Sequence, residues 1–111
     1  MRIMFFGDVM GRAGRSAITN DLQDLRLKHG ADFVVINAEN ASSGLGLSAQ
    51  HAVDILNAGA DCITLGDHAF DQKDMMQFIE KEPRIIRPLN FAKSAPGKGC
   101  LLYTSDAADD L

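Results

Sequence analysis

Four short apolar runs alternate with three longer amphipathic segments along the chain. The apolar runs, which read as strands, are residues 2–6, 32–37, 61–65 and 84–86. The amphipathic segments, which read as helices, are residues 15–29, 48–58 and 71–80. Nearly continuous apolar strands are typical of parallel sheets that are buried on both faces. The pattern therefore predicts a β-α-β-α-β-α-β order, an α/β fold of βαβ repeats with a parallel sheet and right-handed crossovers.

Residues that favour helix ends support these boundaries. Ser48 and Asp71 stand where N-caps are expected, Gly30 and Gly59 stand where helices stop, and Pro83 blocks continuation of the third helix. The stripes that the helices would bury are Ile18, Leu22 and Leu25; Ala52, Val53, Ile55 and Leu56; and Met75, Phe78 and Ile79. Three helices on successive right-handed crossovers can all lie on one face of the sheet. The other apolar face is then expected to lack cover from this chain.

Composition limits the chain to one small domain and excludes several classes of protein. Its 111 residues carry a net charge of −4, so there is no basic footprint for nucleic acid or an anionic membrane. No apolar run approaches the roughly 18 residues of a spanning helix, and the N-terminus lacks a signal-peptide pattern. Cys62 and Cys100 form neither a disulfide framework nor a CxxC motif. We therefore expect a cytoplasmic protein with two reduced thiols.

An acidic residue follows each of the first three predicted strands. Asp8, Glu39 and Asp67 stand about 30 residues apart, the length of one strand-helix-strand unit. Because the carboxyl ends of parallel strands meet along one edge of a sheet, we expect these carboxylates to converge there. Asn40 and His68 are sequence neighbours of two of them. Such a set of side chains favours a site for a divalent metal or a phosphate.

Most of these residues also have a purely structural interpretation. Asp8 could make a turn bond to nearby backbone, Asp67 could cap a helix, and His68 could be an ordinary loop histidine. Asn37 is interpreted as a loop amide and not as a ligand. Glu39 is the exception, because glutamate has no special turn chemistry. The recurrence of an acid after three strands favours the functional interpretation.

Other polar residues near the loops give weaker indications. His29 and His51 are predicted to be solvated bystanders. Arg12 and Arg15 could equally meet a phosphate or be surface charge. The segment Gly44-Leu45-Gly46 could present backbone N–H groups to an anion, although no P-loop, Gly-x-Gly-x-x-Gly or Gly-x-Ser-x-Gly motif is present.

A two-metal phosphoesterase site has requirements that this chain meets only in part. It needs a carboxylate that bridges both ions, further oxygen ligands, usually several histidines, and an acid for the leaving oxygen. The chain offers Glu39 as the bridge, Asp8 and Asn40 for one ion, Asp67 for the other, and His68 as the acid. It offers no other plausible histidine ligand. By composition alone the site is incomplete.

Several spaced motifs occur together in residues 1–99. They are Gly7-Asp8-Val9-Met10-Gly11-Arg12, Asn37-Ala38-Glu39-Asn40-Ala41, Gly44-Leu45-Gly46, Gly66-Asp67-His68-Ala69-Phe70-Asp71, Arg87-Pro88-Leu89-Asn90-Phe91 and Pro96-Gly97-Lys98-Gly99. In these motifs and their order the chain resembles the YmdB-like branch of the calcineurin-type metallophosphoesterases.

The resemblance implies a fold, an activity and a set of site residues. It implies half of a four-layer αββα fold and hydrolysis of a small phosphodiester, with cyclic nucleotides as the expected substrates. Two divalent or mixed-valence metal ions are implied; iron or manganese is favoured, and zinc or magnesium is compatible with the ligands. By the same resemblance Asp8 and Asn40 bind the first metal, Glu39 bridges both, Asp67 binds the second, and His68 is the catalytic proton donor.

Two departures from the family pattern change what is expected of this chain. Position 67 is Asn in the family and Asp here, which adds a negative charge and removes an amide donor. The family's second half, with three metal-binding histidines and a second sheet, has no counterpart after Gly99. We therefore predict that residues 1–99 are the N-terminal part of a metallophosphoesterase domain and that residues 100–111 are a disordered or non-native tail. The chain is expected to be a truncated, inactive form of an enzyme that could be a homo-oligomer when intact.

Two rival interpretations compete with this prediction. The chain could be a non-catalytic regulatory module that binds metal or phosphate. An aspartyl phosphatase with Asp8 as the nucleophile is disfavoured, because such enzymes usually carry a second Asp two residues later and position 10 is Met.

Overall fold

The computed structural model describes residues 1–102 of the chain. The prediction of a disordered or non-native tail falls mostly on residues 103–111, which lie outside the described residues. None of the helices in the described part is long and apolar enough to cross a membrane.

Seven elements alternate along the chain in the predicted order. The strands are β1 (Ile3–Phe6), β2 (Phe33–Asn37), β3 (Cys62–Thr64) and β4 (Ile85–Ile86). The helices are α1 (Gly11–His29), α2 (Ala49–Asn57) and α3 (Met75–Lys81).

The four strands form one parallel sheet in the order β1-β2-β3-β4. The register places Phe5 of β1 beside Val35 of β2, and Ile36 of β2 beside Ile63 of β3. It also places Thr64 of β3 beside Ile86 of β4. Because each strand adds to the same edge, right-handed crossovers bring all three helices to one face. The prediction of an α/β fold built from βαβ repeats is confirmed.

The core lies between the sheet and the helices. The largest fully buried side chains are Leu22, Val34, Ile36, Leu47, Ile55, Ile63, Met75 and Ile85. Met4 and Phe6 of β1 pack against this core, whereas Ile3 and Phe5, which point to the opposite face, are 60% and 61% exposed. The helices therefore cover one face of the sheet and leave the other open at β1.

Two helix starts differ from the prediction. Helix α1 begins at Gly11, which has a left-handed φ of 58°, and not at Arg15, so the glycines at 11 and 14 belong to the helix and not to a loop. A Cβ at Gly14 would lie 3.1 Å from a methyl carbon of Val9, so this glycine lets the helix approach the preceding loop. Helix α3 begins at Met75 and not after Asp71, whose carboxylate has a different partner described below.

Other predicted helix ends are confirmed. The Ser48 side chain caps α2 by accepting the His51 backbone N–H at 3.2 Å. Gly30 follows α1 in the left-handed conformation with φ 60°, and its N–H donates to the carbonyls of Arg26 and Leu27. These local signals position the loops that join the strand ends to the helices.

Candidate metal centre

The loops that follow β1, β2 and β3 meet at one edge of the sheet. The Val9 N–H donates to the Asn37 carbonyl at 3.1 Å, which joins the end of β1 to β2. The Ala38 N–H donates to the Thr64 carbonyl at 3.0 Å, which joins the end of β2 to β3. The acids that follow these strands are therefore carried on neighbouring loops, as the spacing predicted.

Asp8 and Asn40 are in direct contact. The Asn40 amide Nδ2 donates to Asp8 Oδ1 at 2.7 Å. The Asn40 carbonyl accepts the N–H groups of Gly11 and Gly44 at 3.1 and 2.9 Å, which fastens the first two loops together. Asp8 itself adopts a left-handed backbone with φ 48°, which is uncommon for a residue with a side chain. Asp8 Oδ2 and Asn40 Oδ1 take part in no hydrogen bond within residues 1–102.

Glu39 reaches from the second loop to the third. Its carboxylate lies over Gly66, and a Cβ placed on Gly66 would overlap both of its oxygens. The His68 backbone N–H donates to Glu39 Oε2 at 3.4 Å. The absence of a side chain at position 66 thus creates the space in which this carboxylate sits beside Asp67 and His68.

His68 is held by a carboxylate of its own loop. Its Nδ1–H donates to Asp71 Oδ2 at 2.7 Å, and both side chains are exposed. This hydrogen bond raises the pKa of His68 above its usual range, although desolvation opposes the shift. The prediction that Asp71 caps a helix is wrong, because its carboxylate binds the imidazole and the helix begins four residues later.

Asp67 is exposed and makes no hydrogen bond within the described part of the chain. Since α3 begins at Met75, Asp67 does not cap a helix either. Asp67 directly follows Gly66, the residue over which the Glu39 carboxylate lies.

Four other polar residues have clear structural positions. Arg15 donates to the Ala41 carbonyl at 2.5 Å, so this guanidinium fastens a loop, whereas Arg12 is exposed. His29 is exposed, as expected. The prediction that His51 is a solvated bystander is wrong, because the ring is partly buried and Nδ1 lies 2.7 Å from Ser42 Oγ.

Asn37 belongs to the sheet. The structure places it at the end of β2, where its Nδ2 donates to Thr64 Oγ1 at 3.3 Å. Its amide joins two strands and is not a loop amide, although it takes no place among the candidate ligands.

The side chains of this site suit a metal ion that prefers oxygen ligands, although they do not enclose a position for one. Asp8, Asn40, Glu39 and Asp67 supply carboxylate and amide oxygens, the ligand types of manganese, magnesium and ferrous ions. Within residues 1–102, no three side chains of His, Cys, Asp or Glu form a group that could hold a metal ion. The described residues therefore form no closed coordination shell, although their oxygen donors are of the type that such metals bind.

Three residues of this site were not identified from the sequence. Gly66 makes room for Glu39, Asp71 orients His68, and Gln72 donates to the Leu45 carbonyl at 2.7 Å, which ties the second loop to the third. Only Asp71 carried a readable signal, since it stands three residues after His68, within reach of an imidazole. The roles of the other two depend on contacts between distant parts of the chain.

This parallel α/β domain, with carboxylates on the loops at its strand ends, is similar to solved structures of other proteins. A crystal structure of a novel phosphatase from Mycoplasma pneumoniae superposes with a TM-score of 0.84 at 40% identity, over 92% of this chain. The sequence model of the family described as YmdB-like protein matches residues 4–111. The chain belongs to the YmdB-like protein family.

Two further relatives agree with this assignment. The chain is 41% identical over 99 residues, 89% of its length, to a Bacillus subtilis (strain 168) protein named 2',3'-cyclic-nucleotide 2'-phosphodiesterase. A crystal structure of a hypothetical protein from Thermus thermophilus superposes with a TM-score of 0.81 at 38% identity, over 89% of this chain. The chain spans 38% of the length of each of these three relatives.

Proposed function

We propose that the protein to which this chain corresponds is a metal-dependent phosphodiesterase that acts on cyclic nucleotides. The observation that carries the proposal is the meeting of Asp8 with Asn40 and of Glu39 with the loop of Asp67 and His68, at one edge of the sheet. The names of the relatives support a phosphoester substrate, since one is a cyclic-nucleotide phosphodiesterase and another a phosphatase.

In this proposal the oxygen ligands divide between two ions. Asp8 and Asn40 would hold the first, Asp67 would hold the second, and Glu39, whose carboxylate lies over Gly66, would contribute to both. Iron or manganese is favoured, in a divalent or mixed-valence pair, and magnesium or zinc is compatible with the ligands. Bound there, such ions would neutralise phosphoryl charge and activate the attacking oxygen. Asp67 contributes one negative charge more than the family's Asn, which strengthens the preference for a cation at this position.

His68 is the proposed proton donor to the leaving oxygen. Asp71 engages Nδ1, so Nε2 is the ring nitrogen without a hydrogen-bond partner within residues 1–102. By favouring the protonated ring, Asp71 keeps a proton available for transfer. Asp71 therefore acts as a positioning residue for His68.

The 111-residue chain alone is expected to bind metal weakly and to be inactive. Of its three histidines, His29 lies at the end of α1 and His51 is bonded to Ser42, which leaves His68 as the one imidazole beside the acids. We expect calorimetry with manganese ion to show at most one loose site. We also expect no hydrolysis of bis-p-nitrophenyl phosphate or 2',3'-cyclic AMP above a metal-only blank.

The matched variants are Glu39→Ala and Asp24→Ala. Asp24 is an exposed acid on α1 and serves as the control for charge removal alone. Loss of manganese binding in Glu39→Ala, with binding kept in Asp24→Ala, supports the assignment of the site. Equal binding by both variants would contradict it, and two tight sites with turnover abolished by Glu39→Ala would show that the chain is a complete enzyme.

A non-catalytic module that binds metal or phosphate is the second candidate. It is favoured by the open donor set, in which the described residues form no group of three metal-binding side chains. Fusing the chain to the remaining part of a relative distinguishes the two: restored hydrolysis that requires Glu39 supports the enzyme, whereas binding without turnover supports the module.

A further inference from the structure

The loop after β4 carries positive charge at the edge where the other three loops carry acids. Arg87 directly follows Ile86, the last residue of β4, and only 7% of it is exposed. The rings of Phe70 and Phe91, with centroids 6.3 Å apart, hold this loop against the segment that carries His68. The loop after β4 therefore lies next to the candidate metal centre. It carries the positive charge of Arg87, whereas the loops of the candidate metal centre carry negative charges.

Arg87 is buried without an acidic partner. Its Nη1 donates to the Pro88 carbonyl at 3.0 Å and its Nε donates to the Pro96 carbonyl at 3.4 Å. None of the ion pairs within residues 1–102 includes it. Neutral carbonyls offset only part of the cost of removing a guanidinium from water, and buried arginines are usually paired with an anion. The burial of this charge thus indicates an anionic ligand.

An open depression beside Arg87 supplies further contacts for an anion. Lys93 and Lys98 line it together with Arg87, and the backbone of Gly97 forms part of its wall. The acid nearest to this backbone is Glu80, which accepts the Gly97 N–H at 3.0 Å and takes part in none of the described ion pairs. Three cations that pair with no carboxylate of residues 1–102 favour a doubly charged ligand.

We propose that this depression binds the phosphate group of a phosphorylated small molecule. Both N–H groups of Arg87 Nη2 and the second N–H of Nη1 make no hydrogen bond within residues 1–102, so this end of the guanidinium can contact two phosphate oxygens at once. Lys98 adds a second positive charge. Leu89, which is 75% exposed, and Phe91 line the same depression and supply an apolar surface for the organic part of the ligand. None of the candidate metal ligands takes part, so the site is distinct from the phosphodiesterase centre.

The test is a titration of the full chain with inorganic phosphate, without added metal and at constant ionic strength, followed by amide NMR. We expect the amide chemical shifts of Arg87, Gly97 and Gly99 to change and to reach saturation as phosphate is added. Arg87→Gln should weaken binding by about tenfold or more, the loss of a charge-assisted contact. The control is Arg84→Gln at the start of β4, whose guanidinium is already paired with Glu82; this change should alter affinity by less than about twofold.

A second variant keeps the test decisive if Arg87→Gln does not fold. Lys98→Gln leaves the buried Arg87 in place and should still weaken phosphate binding about threefold or more. Adenosine 5'-monophosphate should bind more tightly than inorganic phosphate, and Leu89→Ser should remove that difference.

Three results would overturn the proposal. Shifts that do not saturate, or equal weakening by Arg84→Gln and Lys98→Gln, would mean that phosphate meets only diffuse surface charge. Shifts confined to Asp8 and Asn40 would place phosphate at the candidate metal centre instead. Because the titration contains no metal, its outcome is independent of the manganese calorimetry that tests the proposed function.

Discussion

Two glycine-aspartate pairs follow β1 and β3, but only one of the glycines is constrained by a distant side chain. At Gly66 an added Cβ would overlap the Glu39 carboxylate. At Gly7 the nearest atom to an added Cβ would be a ring carbon of Phe5 at 3.6 Å, which is ordinary contact. The same dipeptide therefore has different structural constraints at the two strand ends.

Gly66→Ala should displace Glu39 without unfolding the chain. The clash involves the far end of a flexible side chain, so we expect a loss of about 1 kcal/mol or less of unfolding free energy. The hydrogen bond from the His68 N–H to Glu39 should be lost, which would move the His68 amide resonance and reduce manganese affinity. Thermal unfolding, amide NMR and calorimetry would measure these effects, with Gly7→Ala as the control; equal effects of the two variants would contradict the role of Gly66.

His51 belongs to a small polar network at the start of α2. The Ser42 hydroxyl lies 2.7 Å from His51 Nδ1, while its oxygen accepts the Ser48 N–H at 2.9 Å. Burial lowers the pKa of His51 below its usual 6.5, and the nearby charge of Arg15 lowers it further, against opposing effects of nearby acids. The network therefore favours the neutral ring, with the Ser42 hydroxyl donating to Nδ1.

This shift predicts a loss of stability in mild acid. Because the folded-state pKa of His51 lies below the unfolded value, its contribution is fully present above pH 6.5 and declines as the pH falls toward the folded-state pKa. His51→Gln should therefore lose less unfolding free energy than the parent chain between about pH 7.5 and 5. His68 titrates with the opposite sign, since Asp71 raises its pKa, so the difference between parent and variant isolates His51.

Urea unfolding at several pH values measures this difference. His29→Gln, a change at an exposed histidine, is the control and should follow the parent chain. If the curves for His51→Gln and the parent run parallel, the inferred role of the network is wrong.

At the scale of elements, one ion pair joins a helix to two strands. Asp61 Oδ2, just before β3, accepts from Arg26 Nη1 of α1 and from the Val34 N–H of β2, both at 2.8 Å. Arg26 also donates to the carbonyls of Gly59 and Asp32. Three elements far apart in sequence are thus fastened at the edge opposite the candidate metal centre.

Asp61→Ala should destabilise the fold by about 1–3 kcal/mol, because it leaves a guanidinium and a strand N–H without their acceptor. Glu82→Ala is the matched control: its partner Arg84 is two residues away and partly exposed, so we expect about 0–1 kcal/mol. Chemical denaturation of both variants provides the comparison. Similar losses would mean that the Asp61 contacts carry no more weight than a local surface pair.

At the scale of the whole molecule, the sheet has one covered and one open face. Phe5 and Phe6 are neighbours on β1, yet Phe5 is 61% exposed while Phe6 packs against the core. Ile3 lies on the open face with Phe5, and Phe33 and Val35 continue it on β2, where both are partly buried. A contiguous apolar surface of this kind favours association or the binding of hydrophobic dyes.

We expect the chain to bind the dye ANS and to self-associate. Phe5→Thr should reduce both effects with little change in unfolding free energy, because threonine suits a strand and the phenyl ring buries little surface there. Phe6→Thr should instead destabilise the fold by about 1–3 kcal/mol through lost core packing. Dye fluorescence, sedimentation and thermal unfolding give the readouts; a dye-silent, monomeric parent chain would contradict an open apolar face.

The order and type of the elements, and the sheet edge at which the acidic loops meet, could be predicted from local sequence patterns. Apolar runs, helical periodicity and the caps at Ser48 and Gly30 are local features, so they could be read without knowledge of the fold. The spacing of Asp8, Glu39 and Asp67 matched one βαβ repeat, and parallel topology then requires their loops to be neighbours. The strongest predictions therefore came from local patterns and one topological rule.

The hydrogen-bond partners of the polar side chains depend instead on how the loops pack against one another. Asp71 could cap a helix or bind His68, and the packing of its loop selected the imidazole and moved the helix start. The overlap of Gly66 with Glu39 and the burial of Arg87 arise where separate loops meet. A polar side chain has several possible partners of similar energy, and the choice depends on distances between residues far apart in the chain. Those distances are fixed by the packing of helices on the sheet, which sequence periodicity does not specify.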